Sequence, residues 1–240
     1  MTVSIVDGEA FAAAAADELL SRLPPIAPRL GVATGETPMR LYDELARRSR
    51  SGEIDLSSAV VVALDEYVGL GLADAQSYAA YVRERIAEPL GIAPENVVVP
   101  QGDSPDPAAA AAEFDARIAA IGGVDVQIAG IGANGHLGFN EPGSPLASTT
   151  RVVALSERTR SDNARFFGGR IEAVPRRAIT QGLATICRAR AIVLLASGPA
   201  KAQPLVAALF GPVAAAVPAS VLQLHADVTV VADSAAAAML

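Results

Sequence analysis

Short apolar runs rich in β-branched residues alternate with longer helical segments along the chain. This alternation limits most strongly what the chain can fold into. Val3–Val6, Leu30–Ala33, Ala59–Leu64, Val97–Val99, Val126–Ile131, Ala191–Leu195 and Val228–Ala232 read as strands. Most are apolar on both faces, the pattern of parallel strands covered by helices on either side. Between them Ala10–Arg22, Pro38–Arg50, Ser77–Glu88, Pro107–Ile121, Thr180–Arg188 and Ala200–Leu209 read as helices. Pro38 suits a first helical turn, where its missing N–H would have no partner. The order predicts a doubly wound α/β sheet. No repeat or linker interrupts it, so residues 1–240 read as a single domain. Ser156–Val174 differs in texture, with several Arg and Gly and two adjacent Phe. It is expected to form a lid over a site.

Composition narrows the function. A chain of 240 residues with 51% hydrophobic and 19% charged residues is neither disordered nor a coiled coil. The net charge of −7 is the opposite of what a general nucleic-acid binder carries. It leaves room for an anionic small substrate in a locally basic pocket. The sole cysteine, Cys187, forms no intramolecular disulfide and no Cys-based zinc site, and reads as a small buried apolar residue. The first residues carry early acids and no Lys or Arg, unlike a secretory signal. The uncharged run Ala202–Leu224 is broken by Pro204, Gly211, Pro212 and Pro218, unlike a membrane span. The expectation is a cytoplasmic protein with no membrane or nucleic-acid partner.

Ligands of open α/β sheets bind at the carboxyl ends of the strands. Four of the expected strands end in chemically informative residues. Thr34-Gly35-Glu36-Thr37 leads into a helix, where backbone N–H groups can take an anion. The same turn also reads as an ordinary helix start capped by Thr37, and Glu36 is unfavourable to an anion unless it points away. Asp65-Glu66 are adjacent carboxylates. Neighbours on a strand point to opposite sides, so only one is expected to face a pocket. Gly130-Ile131-Gly132-Ala133-Asn134-Gly135-His136 continues to Phe139-Asn140-Glu141-Pro142. A catalytic imidazole needs one ring nitrogen held, and Asn134 or Glu141 is available to hold it. The Gly-x-Gly-x-x-Gly spacing at 130–135 comes late in the chain and runs into His136, unlike a dinucleotide fingerprint. Lys201, after a Ser-Gly-Pro turn, and Arg160, in the expected lid, are candidate phosphate ligands. His225 lies in an apolar context and reads as structural.

Together these residues resemble the glucosamine-6-phosphate deaminase family. The resemblance rests on Ala33-Thr34-Gly35-x-Thr37-Pro38, Leu64-Asp65-Glu66-Tyr67-Val68-Gly69-Leu70, Ser77-Tyr78 and the stretch from Gly130 to Gly143. It continues through Thr159-Arg160-x-x-Asn163-x-Arg165-Phe166-Phe167, Ala178-Ile179-Thr180-x-Gly182, Gly198-x-x-Lys201-Ala202 and Ser220-x-Leu222-Gln223-x-His225. These occur in family order over nearly the whole chain. The resemblance implies a Rossmann-like, mostly parallel sheet and a reaction without cofactor or metal. Glucosamine 6-phosphate and water become fructose 6-phosphate and ammonia. His136 then helps open the sugar ring, Asn134 and Glu141 orient and tune it, and Asp65 carries the C2 proton to C1. Thr34, Gly35, Glu36 and Thr37, with Arg160 and Lys201, would hold the phosphate.

Some relatives carry Asp where Asn134 stands, and an amide orients rather than ionises. Glu36 replaces the small residue usual in the phosphate turn. Arg151 matches a basic residue that some relatives use to bind an activating N-acetylated sugar phosphate, but Val153 stands where a Lys is expected. Such activation is therefore expected to be absent. Galactosamine 6-phosphate remains an alternative substrate. The 6-phosphogluconolactonases share the fold, but Phe139-Asn140-Glu141-Pro142 and Tyr67 after Asp65-Glu66 favour the deaminase. A non-catalytic sugar-phosphate sensor would carry a DNA-binding segment, for which a first strand at Val3 leaves no room, and would not need Asp65, His136 and Glu141 together.

Overall fold

Runs apolar on both faces must be buried on both faces, and a parallel sheet between helix layers does this. A computed structural model describes residues 1–240. The strands are β1 (Thr2–Val6), β2 (Arg29–Val32), β3 (Val60–Ala63), β4 (Asp65–Tyr67), β5 (Val97–Val98), β6 (Val126–Gly130), β7 (Arg151–Ala154), β8 (Arg177–Thr180), β9 (Ala191–Ala196) and β10 (Val228–Asp233). The α-helices are α1 (Phe11–Leu20), α2 (Glu36–Arg50), α3 (Tyr78–Val82), α4 (Pro107–Ala120), α5 (Glu157–Asn163), α6 (Leu183–Ile186) and α7 (Ala202–Phe210).

The seven expected strands form one parallel sheet in the order β1-β10-β9-β6-β2-β3-β5. This is the mostly parallel, doubly wound α/β sheet that the sequence predicts. After β2 the chain winds outward through β3 and β5. It then returns to β6 and winds the other way. The crevice between the carboxyl ends of β2 and β6 is therefore the switch point, the usual ligand site of such sheets. The main core lies on both sides of this sheet and includes Phe11, Leu30, Val61, Ile128, Leu194 and Val230, all fully buried. No helix is long and apolar enough to cross a membrane.

A second, three-stranded antiparallel sheet, β4-β8-β7, was not expected from the sequence. β3 runs into β4 after a single residue, Leu64. The expected helix Thr180–Arg188 is corrected here. Thr180 ends β8, the Gln181 N–H donates to the Leu64 carbonyl (2.8 Å), and only Leu183–Ile186 is helical. The small sheet, the end of the His136 loop and the lid share a satellite core of Tyr67, Phe139, Leu155, Ala164, Phe167, Val174 and Ala178.

Segment 156–174, which the sequence reads as a lid, folds as α5, a 3-10 turn over Ala164–Phe167 and another over Ile171–Ala173. Its paired phenylalanines divide their work. Phe167 is buried in the satellite core and Phe166 is exposed at the mouth of a cavity. Cys187 is half-buried rather than buried, packed against the main core, and burial pushes its thiol up to about 11. His225 is structural. One ring nitrogen meets the Ala189 carbonyl (2.8 Å) and the other accepts from the Asp227 N–H (3.1 Å), away from the cavity.

Candidate active site

A cavity of about 590 Å³ opens at the switch point. The four loops singled out in the sequence all line it, through Thr34–Pro38, Asp65, Gly130–Ala133 with His136, and Ser197 with Lys201. The 156–174 segment lines another side with Thr159, Asp162, Asn163, Arg165, Phe166 and Phe167.

Strand alternation in β4 sorts the adjacent carboxylates. Asp65 faces the cavity and is 5% exposed. Glu66 points the other way, where its oxygens accept the N–H groups of Tyr67 (2.8 Å), Tyr78 (3.0 Å) and Ala79 (2.8 Å). It thereby holds the start of α3, beside the Ser77 cap. Burial pushes the Asp65 carboxyl up to about 8, and the neighbouring Glu66 adds to this. A base desolvated in this way is strong once ionised.

His136 is held by a two-step chain. The Glu141 carboxylate only accepts, so the Asn134 amide nitrogen faces it, at 2.7 Å. The Asn134 carbonyl oxygen is thereby turned to His136 Nδ1, also at 2.7 Å. Nδ1 must carry the proton, which leaves the Nε2 lone pair free. Glu141 lies 3.9 Å from Nδ1 and acts through Asn134. Burial lowers the His136 pKa, partly opposed by Glu141, which keeps the ring neutral at neutral pH. Burial works to raise Glu141, but hydrogen bonds from Thr159 and Asn134 and the neighbouring His136 outweigh it and hold Glu141 below its ordinary value. Both Ser156 (3.1 Å) and Thr159 donate to its other oxygen, so the first turn of the lid is tied to the same carboxylate.

Two glycines make room for this arrangement. A Cβ on Gly132 would overlap the His136 imidazole. Gly138 has φ +54°, and a Cβ there would stand 3.2 Å from Asp65 Oδ2 and 3.1 Å from Thr180 Oγ1. Gly132→Ala is expected to displace the imidazole and cut kcat by about 10²-fold or more. Measured kcat within a factor of about three of the parent would show that the ring position is unimportant.

At the other end of the cavity, α2 begins at Glu36, two residues before the expected Pro38, with Gly35 as its N-cap at φ +119°. No side chain caps this end, so its first N–H groups are available to an anion. Lys201 lines the same region, and its Nζ donates to the Ile131 carbonyl (2.6 Å). The Glu36 side chain points outward and pairs with Arg165 of the lid (2.8 Å). Arg160 does not line the cavity. Its Nε and Nη2 donate to the carbonyls of Val174 (3.2 Å) and Ile171 (2.6 Å), closing the lid on itself. Arg165, five residues on and past the end of α5, is the lid arginine at the cavity.

Tyr67, Tyr78 and Asn163 also line the cavity, although the sequence reading gave them no role. Asn163 Nδ2 donates to the Tyr67 hydroxyl (2.9 Å), which meets the Tyr78 hydroxyl at 3.2 Å. Tyr67 also contacts Phe139 and Phe167 through its ring. The only signal for Tyr67 was its place directly after Asp65-Glu66.

The sequence profile of the glucosamine-6-phosphate isomerases/6-phosphogluconolactonase family matches residues 7–231. The chain belongs to this family. A glucosamine-6-phosphate deaminase of Streptomyces avermitilis is 51% identical over 233 residues, covering 97% of this chain and 88% of the relative. Among solved structures, a monomeric glucosamine-6-phosphate deaminase superposes with a TM-score of 0.95 at 37% identity, covering 100% of both chains. The 6-phosphogluconolactonase of Leishmania guyanensis superposes with a TM-score of 0.74 at 21% identity over 98% of this chain and 97% of its own, and shares the fold. The family thus spans two chemistries, and the cavity residues bear on which one this member performs.

Proposed function

We propose that the chain is a glucosamine-6-phosphate deaminase. The observation that carries the reading is one cavity faced by both an isolated carboxyl, Asp65, and an imidazole with a free Nε2, His136. Ring opening needs a group that accepts the anomeric hydroxyl proton and returns it to the ring oxygen, and His136 Nε2 is suited to that. Isomerisation needs a base that lifts the C2 proton and delivers it to C1, and Asp65 is suited to that. Proton loss at C2 and gain at C1 convert the open-chain amino aldehyde to a 2-imine. Water then adds at C2 and ammonia leaves, giving fructose 6-phosphate. The balance is one water consumed and one ammonia released, with no net oxidation, so the reaction asks for no cofactor.

In this reading the phosphate lies against the first N–H groups of α2, at Thr34, Gly35 and Thr37, with Lys201 and Arg165. A lactonase would need no carrier for a carbon-bound proton, and the 51% relative supports the deaminase. In this reading the reaction belongs in the cytoplasm, with a phosphosugar as the small-molecule partner. The test is ammonia release from glucosamine 6-phosphate coupled to detection of fructose 6-phosphate, with galactosamine 6-phosphate run beside it. Stoichiometric release of both products from glucosamine 6-phosphate is expected. No release from it would overturn the reading.

Activation by N-acetylglucosamine 6-phosphate is expected to be absent. Arg151 is committed to Asn140 (2.8 Å) and Ser144 (3.2 Å), and Val153 offers no charge. Saturation curves with and without that compound should coincide. A sigmoidal curve made hyperbolic by it would sink this expectation.

A further inference from the structure

The Glu36–Arg165 pair is unusual in where it stands. Glu36 is the first residue of a 15-residue helix whose N-terminus opens on the cavity. A carboxylate there is attracted to the helix end, yet the Glu36 side chain is 74% exposed and reaches across to the lid. Its Oε1 meets Arg165 Nη1 at 2.8 Å. The Arg165 side chain is itself 53% exposed, and its guanidinium lies over the Phe166 ring, 4.8 Å from the centroid. Arg165 has no other carboxylate partner. The pair therefore bridges the cavity mouth, joining the anion-binding helix end on one side to the lid on the other.

We infer that Glu36 is an internal competitor for Arg165, its carboxylate occupying the guanidinium that the phosphate of the substrate must engage. This rests on the reading of the cavity as a phosphosugar site. One guanidinium then serves two anions in turn. In the free protein it holds Glu36, and the exposed pair is weak enough to exchange. When a phosphate arrives at the α2 N-terminus, Arg165 turns to it. The phosphate carries more charge and can take the guanidinium bidentately, where Glu36 holds it through one contact. Glu36 then swings into solvent, which its exposure permits. Glu36 is a positioning residue in this scheme and touches no reacting atom. Its consequence is a phosphate affinity set below what the same site would reach without it.

The experiment is direct binding of inorganic phosphate and of fructose 6-phosphate, by calorimetry, to the full chain. The proteins are the parent, Glu36→Gln, Arg165→Gln and the double variant. Glu36→Gln is expected to bind inorganic phosphate about three- to tenfold more tightly at about 10 mM salt. The gain should shrink below about twofold at about 0.5 M salt, where exposed charges are screened. With Arg165→Gln in place, the Glu36→Gln change should move affinity by less than about twofold. Equal or weaker phosphate binding by Glu36→Gln would overturn the inference. So would the same gain in the Arg165→Gln background, which would mean simple repulsion of the ligand by Glu36. The two readings fail separately. Ammonia release without the Arg165-dependent gain overturns this inference and leaves the deaminase. The gain without ammonia release supports the competition and removes the deaminase.

Discussion

Asp65→Asn is expected to abolish turnover of glucosamine 6-phosphate while leaving fructose 6-phosphate binding nearly intact. The carboxyl faces the cavity and makes no ion pair, so the change removes a base and little else. Loss of a carbon-acid base costs about 10²–10⁴-fold in kcat. The parent's pH profile should report the same group. Only the ionised form lifts a proton, so kcat/KM should climb about tenfold per pH unit below the Asp65 value near 8 and level off above it. Burial shifts His136 downward, so protonation of its ring moves below the ordinary imidazole range.

The same substitution should stabilise the fold, with a definite sign. The unfolded Asp65 carboxyl loses its proton near about 3.9, whereas the folded one keeps it until about 8. Between those values the folded state binds the extra proton, so its stability falls as pH rises from about 4 to about 8. Asn carries no such penalty. The melting temperature of Asp65→Asn minus that of the parent should widen across that window. At pH 7 the stability difference should reach a few kcal/mol, which corresponds to about 5–10 °C in melting temperature. A gap independent of pH would show that Asp65 is not desolvated. Near-normal activity would show that the base lies elsewhere.

His136→Gln should cut kcat by about 10²–10³-fold, and the loss should be confined to the closed ring. The amide of Gln occupies similar space but cannot shuttle a proton. An analogue of the substrate lacking both the C4 and C5 hydroxyls can close neither a five- nor a six-membered hemiacetal ring, so its turnover bypasses the step assigned to His136. On that analogue the variant should keep most of the parent's rate. Equal losses on both compounds would place His136 in the C2 proton transfer instead. Glu141→Gln should show a weaker version of the same pattern, because it reaches the ring only through Asn134.

Much of this was legible in the chain. The central strands betray themselves by being apolar on both faces, and all seven expected runs pair in the parallel sheet. The small antiparallel sheet was hidden for a physical reason. β4 has three residues, two of them acidic, and is a continuation of β3, so no local pattern separates them. β8 carries Thr180 at a position that also suits a helix start. The outcome at Asp65 and Glu66 follows from strand alternation alone, which needs no tertiary information. Arg160 and Arg165 could not be sorted that way. The segment passes from α5 into a 3-10 turn at Ala164, so the helical phase is lost between the two arginines. For His136 the sequence offered Asn134 or Glu141 as partner. Both are used in series, because only the folded loop decides which one is within reach.

The direct run of β3 into β4 has a consequence for how this site tolerates change. Asp65, Glu66 and Tyr67 serve the cavity, the start of α3 and the satellite core in succession. Each task depends on which side of a two-residue repeat its residue falls. One inserted or deleted residue between Ala63 and Tyr67 would invert all three at once. It would aim Glu66 at the sugar, leave the N–H groups of Tyr78 and Ala79 at the start of α3 without an acceptor, and withdraw the aromatic anchor of the 156–174 segment. The length of the segment is therefore as tightly constrained as Asp65 itself. Any scheme for moving this cavity's specificity onto another scaffold must therefore carry the strand junction across intact.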